Sequence, residues 1–243
     1  MLAFHNDPSL KSFVLSELQA HAAADTLIKG RYWEGGKGCA VGCTLEAVRR
    51  RNGERSRIQH SKHALYEPHL GIPEVLAVLE DGIFENLDNG ASQIWPIRFT
   101  SAIAPGADLS MVWPRFALWL LRDFLPPIIK SDAVKAAIPV VADLYREWVG
   151  GEKPSEERWK GAYAAAASAA AGGAAAAYAA AASAAAAFAA AYAYAYAAAN
   201  AAANAANANA ANADAAERDQ AYSTMADKLI EIITGCAPVS SGR

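Results

Sequence analysis

An alanine-dominated run from about Gly161 to Ala216 constrains this chain more than any other feature of it. Alanine has the highest intrinsic helix propensity, and a long run offsets the cost of nucleating the first turn. Disordered low-complexity segments are enriched in Pro, Glu, Lys and Gln, and this run is not. Its non-alanine residues are patterned. At about 100° per residue, Tyr178, Phe188, Tyr192 and Tyr196 fall within an arc of roughly 80°, and Tyr163 joins them if the helix continues through Gly172-Gly173. Tyr194 points the other way. Asn200, Asn204 and Asn207 carry the stripe onward, so one face changes from aromatic to amide. An aromatic stripe at helical spacing reads as an inward face.

The methyl faces matter as much, because they let helix axes approach near the lower end of the usual range of about 8–10 Å. Each buried methyl-sized group contributes only about 0.8 kcal/mol, so such helices require extensive close contact. The expectation is an all-α, multi-helical compact bundle in which the alanine-rich helices pack closely on one another or on the N-terminal helices. The run contains no threonine, which removes the regularly spaced Thr of alanine-rich ice-binding helices.

The rest of the 243 residues shows helical periodicity without convincing strand alternation. Asp7 and Pro8 start a helix with Leu10, Phe13, Val14, Leu18 and His21 on one face, ending by Gly30. A second runs from Cys39 to Arg51, burying Val41, Leu45 and Val48, and stops at Asn52-Gly53. A third spans about Arg57 to Glu67 and is ended by Pro68. Pro73 opens a fourth, with Val75, Leu76, Leu79, Ile83, Phe84 and Leu87 as its apolar stripe and Glu74, Asp81 and Glu85 on a solvated face.

"WPIRF" at Trp95 and "WPRF" at Trp113 form an internal echo, in which Pro96 and Pro114 read as helix starts, each preceded by a core Trp. Alternatively, Asp108 caps a helix kinked at Pro114. Ser131 caps a helix through Trp148, bent at Pro139, and Ser155 opens the helix that enters the alanine run. Tyr222, Met225, Leu229, Ile232 and Ile233 make an amphipathic C-terminal helix ending at Gly235. Gly150-Gly151-Glu152-Lys153-Pro154 is the hinge candidate. It divides residues 1–149 from an alanine-rich part at 150–235, both in one structural domain, with a disordered tail at 236–243.

Lys and Arg total 22 against 25 Asp and Glu, a net charge of −3, so no global field recruits nucleic acid or an anionic membrane. The one dense basic cluster, Arg49, Arg50 and Arg51 with Arg55 and Arg57, suits the cation preference of a helix C-terminus. Phe116 to Ile129 is too short and too charged to span a bilayer. Three cysteines argue against a disulfide framework, and MLAFHNDPSL lacks the layout of a signal peptide. The expected setting is the cytoplasm.

Chemistry concentrates in "GGKGCAVGC", Gly35 to Cys43, and just beyond it. The stretch lacks Gly-x-x-x-x-Gly-Lys-Ser/Thr, and Val41 stands where a dinucleotide loop needs its third glycine. A glycine-rich helix entry that allows close packing accounts for it. Cys39 and Cys43 share a helical face, as do His60, His63 and Glu67. With Lys37 they make the candidate polar cluster, with two readings open. Cys39, Cys43, His60 and His63, with Glu67, could supply a metal shell, although their spacing departs from the usual zinc pattern. A Cys beside a His could be a nucleophile, its thiol pKa lowered by the helix N-terminus. Cysteines buried as small hydrophobes and a His63–Glu67 pair one turn apart explain the same residues. No cofactor motif, Glu-x-x-His pair or orienting third catalytic group is present.

"GKGCAVGCTL", "YEPHLGIPEVLAVLEDGIFE" and "WPRFALWLL" resemble segments of an uncharacterised family of bacterial proteins that join a Trp/Pro-containing helical part to a long alanine-rich part. The resemblance covers most of the chain and carries no established activity. The alanine-rich part is also similar to that of immunity proteins in bacterial toxin systems. That likeness implies a non-enzymatic module that binds a protein partner.

Overall fold

Asp7 begins the first long helix as its position requires: Oδ1 accepts from the Ser9 backbone N–H at 2.8 Å, and Pro8 fills the first helical position. In the computed structural model, which describes residues 1–53, 59–127, 132–162 and 215–238, helix α1 (Pro8–Ala23) is followed by α2 (Ala40–Arg51) and α3 (Tyr66–Leu70). Then come α4 (Glu74–Asn86), α5 (Asn89–Ala102), α6 (Val112–Trp119), α7 (Asp132–Val149), a short helix over 156–162, and α8 (Ala215–Thr234). Among the described residues the fold is all-α, with isolated β-bridges and no strand. No described helix is long and apolar enough to cross a membrane. The Tyr178–Tyr196 face, Gly172-Gly173 and the Asn200–Asn207 series lie outside the described residues, as do Arg55, Arg57, Ser131 and residues 239–243.

Two compact units divide the chain: Met1–Ser110 with Tyr222–Arg243, and Met111–Ala221. In the first, α1 packs on α2 and α5, and α4 packs on α2 and α5. Leu10, Val14 and Leu18 of α1, Val41, Leu45 and Val48 of α2, Leu76, Ile83 and Phe84 of α4, and Trp95 and Phe99 of α5 are all buried in its core. Tyr222, Met225, Leu229 and Ile233 of α8 are buried at the expected helical spacing, and the helix stops at Thr234, just before Gly235.

Several boundaries differ from the sequence expectation. The first helix ends at Ala23, well short of Gly30. No helix runs from Arg57 to Glu67 among the described residues. His63–Leu65 forms a 3-10 turn leading into α3, and Pro68 is the third residue of α3, where its missing N–H has no partner to lose. Pro96 is interior to α5 and does not start it. Asp88 Oδ1 accepts from Gly90 and Ala91 N–H at 2.7 and 2.9 Å, so the helix begins two turns earlier. Burial of Trp95 and Phe99 then carries it through the proline. Pro114 does lie in the first turn of α6, as expected. Asp108 accepts from Ser110 N–H at 2.9 Å in the turn before it.

In the second unit, α6 passes into a π turn over Leu120–Phe124, and α6 packs against α7. Pro139 lies inside α7. Its core is a chain of aromatic rings. Trp113 meets Tyr145 edge-on at 6.2 Å, Tyr145 stacks on Trp148 at 6.3 Å, and Trp159 closes on Tyr145 at 4.9 Å. Gly151, at φ +103°, makes the turn after α7 that brings Trp159 back.

Candidate functional site

The glycines of "GGKGCAVGC" have distinct tasks. Gly35 and Gly36 (φ +58° and +86°) form the tip of a two-residue hairpin closed by reciprocal backbone bonds between Glu34 and Lys37 at 2.8 and 3.1 Å. Gly38 and Gly42 clear space for backbone: a Cβ on either would lie 2.1 or 1.4 Å from the Tyr32 carbonyl oxygen. Cys39 N–H donates to the Arg31 carbonyl at 2.7 Å. The chain's own carbonyls therefore sit on the first turn of α2, where an anion-binding loop would hold its ligand.

The hairpin thereby covers α2 at its N-terminal end, where both cysteines lie. Cys39 is the N-cap and 1% exposed; Cys43 is fully buried and donates to the Gly38 carbonyl at 3.4 Å. Burial pushes the Cys43 thiol up to about 12. The Cys39 thiol is raised further, by burial and then by the neighbouring Asp81 carboxylate. Desolvation thus outweighs the lowering expected from a helix N-terminus.

The sequence-predicted polar residues do not converge as one group. Lys37 is exposed at the hairpin. His60 pairs with Glu46 (Nε2–Oε2 3.1 Å) and stacks on Trp33, while Glu46 also binds Arg49 through both oxygens at 2.8 and 2.6 Å. Arg49 is the main reason the Glu46 carboxyl lies below its usual range. His63, 5% exposed, pairs with Asp81 (Nε2–Oδ2 3.0 Å) beneath the Tyr32 ring. Glu67 does not pair with His63 in the expected way; its Oε1 accepts from Glu74 N–H at 3.1 Å and caps α4. The two histidines thus have different acidic partners because residues 59–62 are not helical. The basic cluster is likewise engaged: Arg50 pairs with Glu17, and Arg51 reaches Asp7 at 2.8 Å.

What the fold does assemble involves residues of α4 that the sequence assigned to a solvated face. Cys39 Sγ, an Asp81 oxygen and a Glu85 oxygen all lie within 4.8 Å of one another. Asp81 and Glu85 are one turn apart and only partly exposed. Both Glu85 oxygens accept from Gly30 N–H, at 3.1 and 2.9 Å, and burial raises its carboxyl. Asp81 Oδ1 is buried and receives no N–H or O–H hydrogen bond; the Cys39 thiol is the weak donor beside the carboxylate.

Next to them, Glu80 is 1% exposed. It accepts from Tyr66 Oη–H at 2.8 Å, its backbone carbonyl accepts from Trp95 Nε1–H at 2.9 Å, and burial pushes its carboxyl up to about 8. One signal for Glu80 was readable: position 80 falls one turn from both Leu76 and Phe84, inside the apolar stripe. Asp81 and Glu85 gave no such signal, because their cover comes from a hairpin some fifty residues away in sequence.

Comparison with known proteins gives no match: no family model, no curated protein and no solved structure is significantly similar to this chain.

Proposed function

We propose that this chain works by binding a protein partner and not by turnover, as a non-enzymatic cytoplasmic module of the kind that immunity proteins of bacterial toxin systems represent. The observation that carries this reading is the closed state of its reactive groups. Cys39 and Cys43 are buried with raised thiols, His60 and His63 each hold a carboxylate, and Glu67 caps a helix. A thiol enzyme needs an accessible thiolate beside a free base, and these side chains are arranged to stabilise one packed state. The net charge of −3 favours a protein over nucleic acid as partner.

Two measurements test the reading together. Brief iodoacetamide labelling of the folded chain at neutral pH should modify the half-buried Cys236 while leaving Cys39 and Cys43 protected. Affinity capture from the native host should then yield one protein that rebinds the purified chain stoichiometrically. Rapid labelling of Cys39 or Cys43 would favour the thiol-enzyme alternative, and failure to reconstitute any complex would remove the binding reading.

A further inference from the structure

The Cys39–Asp81–Glu85 group carries an inference that goes beyond partner binding. It is a mixed sulfur and oxygen donor set, formed by the N-cap of α2 and two positions one turn apart on α4. Ligands about 2.0–2.3 Å from a tetrahedral zinc ion lie roughly 3.3–3.8 Å from one another. A spread of 4.8 Å therefore closes around a cation with side-chain movement of about an ångström. Among the described residues neither Asp81 nor Glu85 forms an ion pair with Lys or Arg; Lys29, the nearby cation, donates to the Leu87 carbonyl.

Two further observations point to a ligand at this place. Asp81 Oδ1 is inaccessible to solvent and receives no N–H or O–H hydrogen bond, the weak Cys39 thiol donor being what the carboxylate meets on this side, and such an atom in a native protein calls for an explanation such as an ion. The other Asp81 oxygen is held at 3.0 Å by the buried His63 Nε2. That is how ligating carboxylates are oriented from outside the first coordination shell. Asp81, 13% exposed, and Glu85 are both partly accessible on α4, so an ion has a way in.

We propose that Cys39, Asp81 and Glu85 bind one zinc-class divalent cation, with His63 positioning Asp81 and water completing the coordination. The thiol selects a borderline or soft ion over Mg²⁺ or Ca²⁺. On binding, the Cys39 S–H bond breaks, sulfur keeps the electron pair as a thiolate ligand, and the proton leaves to solvent. No redox change is involved. Because Glu85 also accepts from Gly30 N–H, the ion ties the hairpin, α2 and α4 together at one point.

The test uses the full chain, made without a His-tag, stripped of metal and titrated with Zn²⁺ against a competing chelator and with Co²⁺ as an optical probe. One equivalent of zinc should bind, and cobalt should give a thiolate-to-metal charge-transfer band. Cys39→Ser should abolish that band and weaken zinc; Glu85→Gln, at a partly exposed position, should also weaken zinc and keeps the test informative if the Cys39 variant does not fold. His63→Ala, which leaves all three donors, should weaken zinc by about 10–100-fold. Cys43→Ser should leave both readouts unchanged. Absence of stoichiometric zinc binding in the unaltered chain, or binding unaffected by both Cys39→Ser and Glu85→Gln, overturns the proposal. Either result leaves the partner-binding reading standing, since that rests on labelling and reconstitution.

Discussion

The two units bury their largest side chains in different company. Around Tyr145 in the second unit, rings pack on rings: Trp113, Trp148 and Trp159 surround the tyrosine, and Lys153 lies over Trp148 at 5.0 Å. Around Tyr66 in the first unit, the neighbours are ionisable: Glu80 accepts a hydrogen bond from its hydroxyl, Cys39 lies close by, and Cys43 and Asp81 act in turn on Glu80. Aromatic packing gains energy from area and edge-to-face geometry alone. A buried carboxyl costs energy whenever it ionises. The second arrangement makes stability depend on solution conditions, and a fold tolerates that where the groups also hold something else in place.

The largest expected effect tests the aromatic side of this contrast. Trp159→Ala should destabilise the second unit by about 3–5 kcal/mol, the range for truncating a buried aromatic residue. That loss should be the same at pH 5 and pH 9 in chemical denaturation. A marked pH dependence would mean that the two cores are not distinct in kind.

The next effect tests the polar side. The Glu80 carboxyl is raised to about 8 from an ordinary value of 4.5, so the folded state holds a proton that the unfolded state releases between those values. Stability from this group is full below pH 4.5 and is lost as pH rises to about 8. Glu80→Gln should therefore match the parent near pH 4.5 and exceed it by about 2–4 kcal/mol at pH 9. Thermal melts of both proteins across that range read the difference directly. Parallel curves would show that Glu80 carries no such linkage.

The smallest effect sharpens the point that burial, rather than charge, sets these sensitivities. Arg98 meets Asp227 of α8 at 2.7 Å, with both side chains largely exposed. Arg98→Ala should cost at most about 0.5 kcal/mol, and less in high salt. A loss above about 1 kcal/mol would show that surface pairs in this unit matter as much as its buried ones.

Much of this was legible in the residues. Asp7-Pro8 starts a helix because a side-chain acceptor and a fixed φ act locally, and the α4 and α8 stripes follow from the helical period alone. The entry to α2 was legible as glycine-dependent packing, since no complete phosphate-loop pattern was present. Pro96 misled because local preference was overridden by burial of the Trp95 and Phe99 rings. The cluster of His60, His63 and Glu67 misled because spacing predicts a shared face only where the backbone is helical.

By itself, then, the sequence determined the all-helical character of the described chain, most helix starts, and the polar residue types near α2. Those properties depend on neighbours within a turn or two. Only the tertiary structure decided which polar groups meet: it set Asp81 and Glu85 against Cys39, gave His63 to Asp81 and His60 to Glu46, and sealed Glu80 against Tyr66. Each of those encounters joins separate elements through packing that no local spacing encodes. The Gly30–Gly38 hairpin that covers them follows from the close fit of Tyr32 against Gly38 and Gly42.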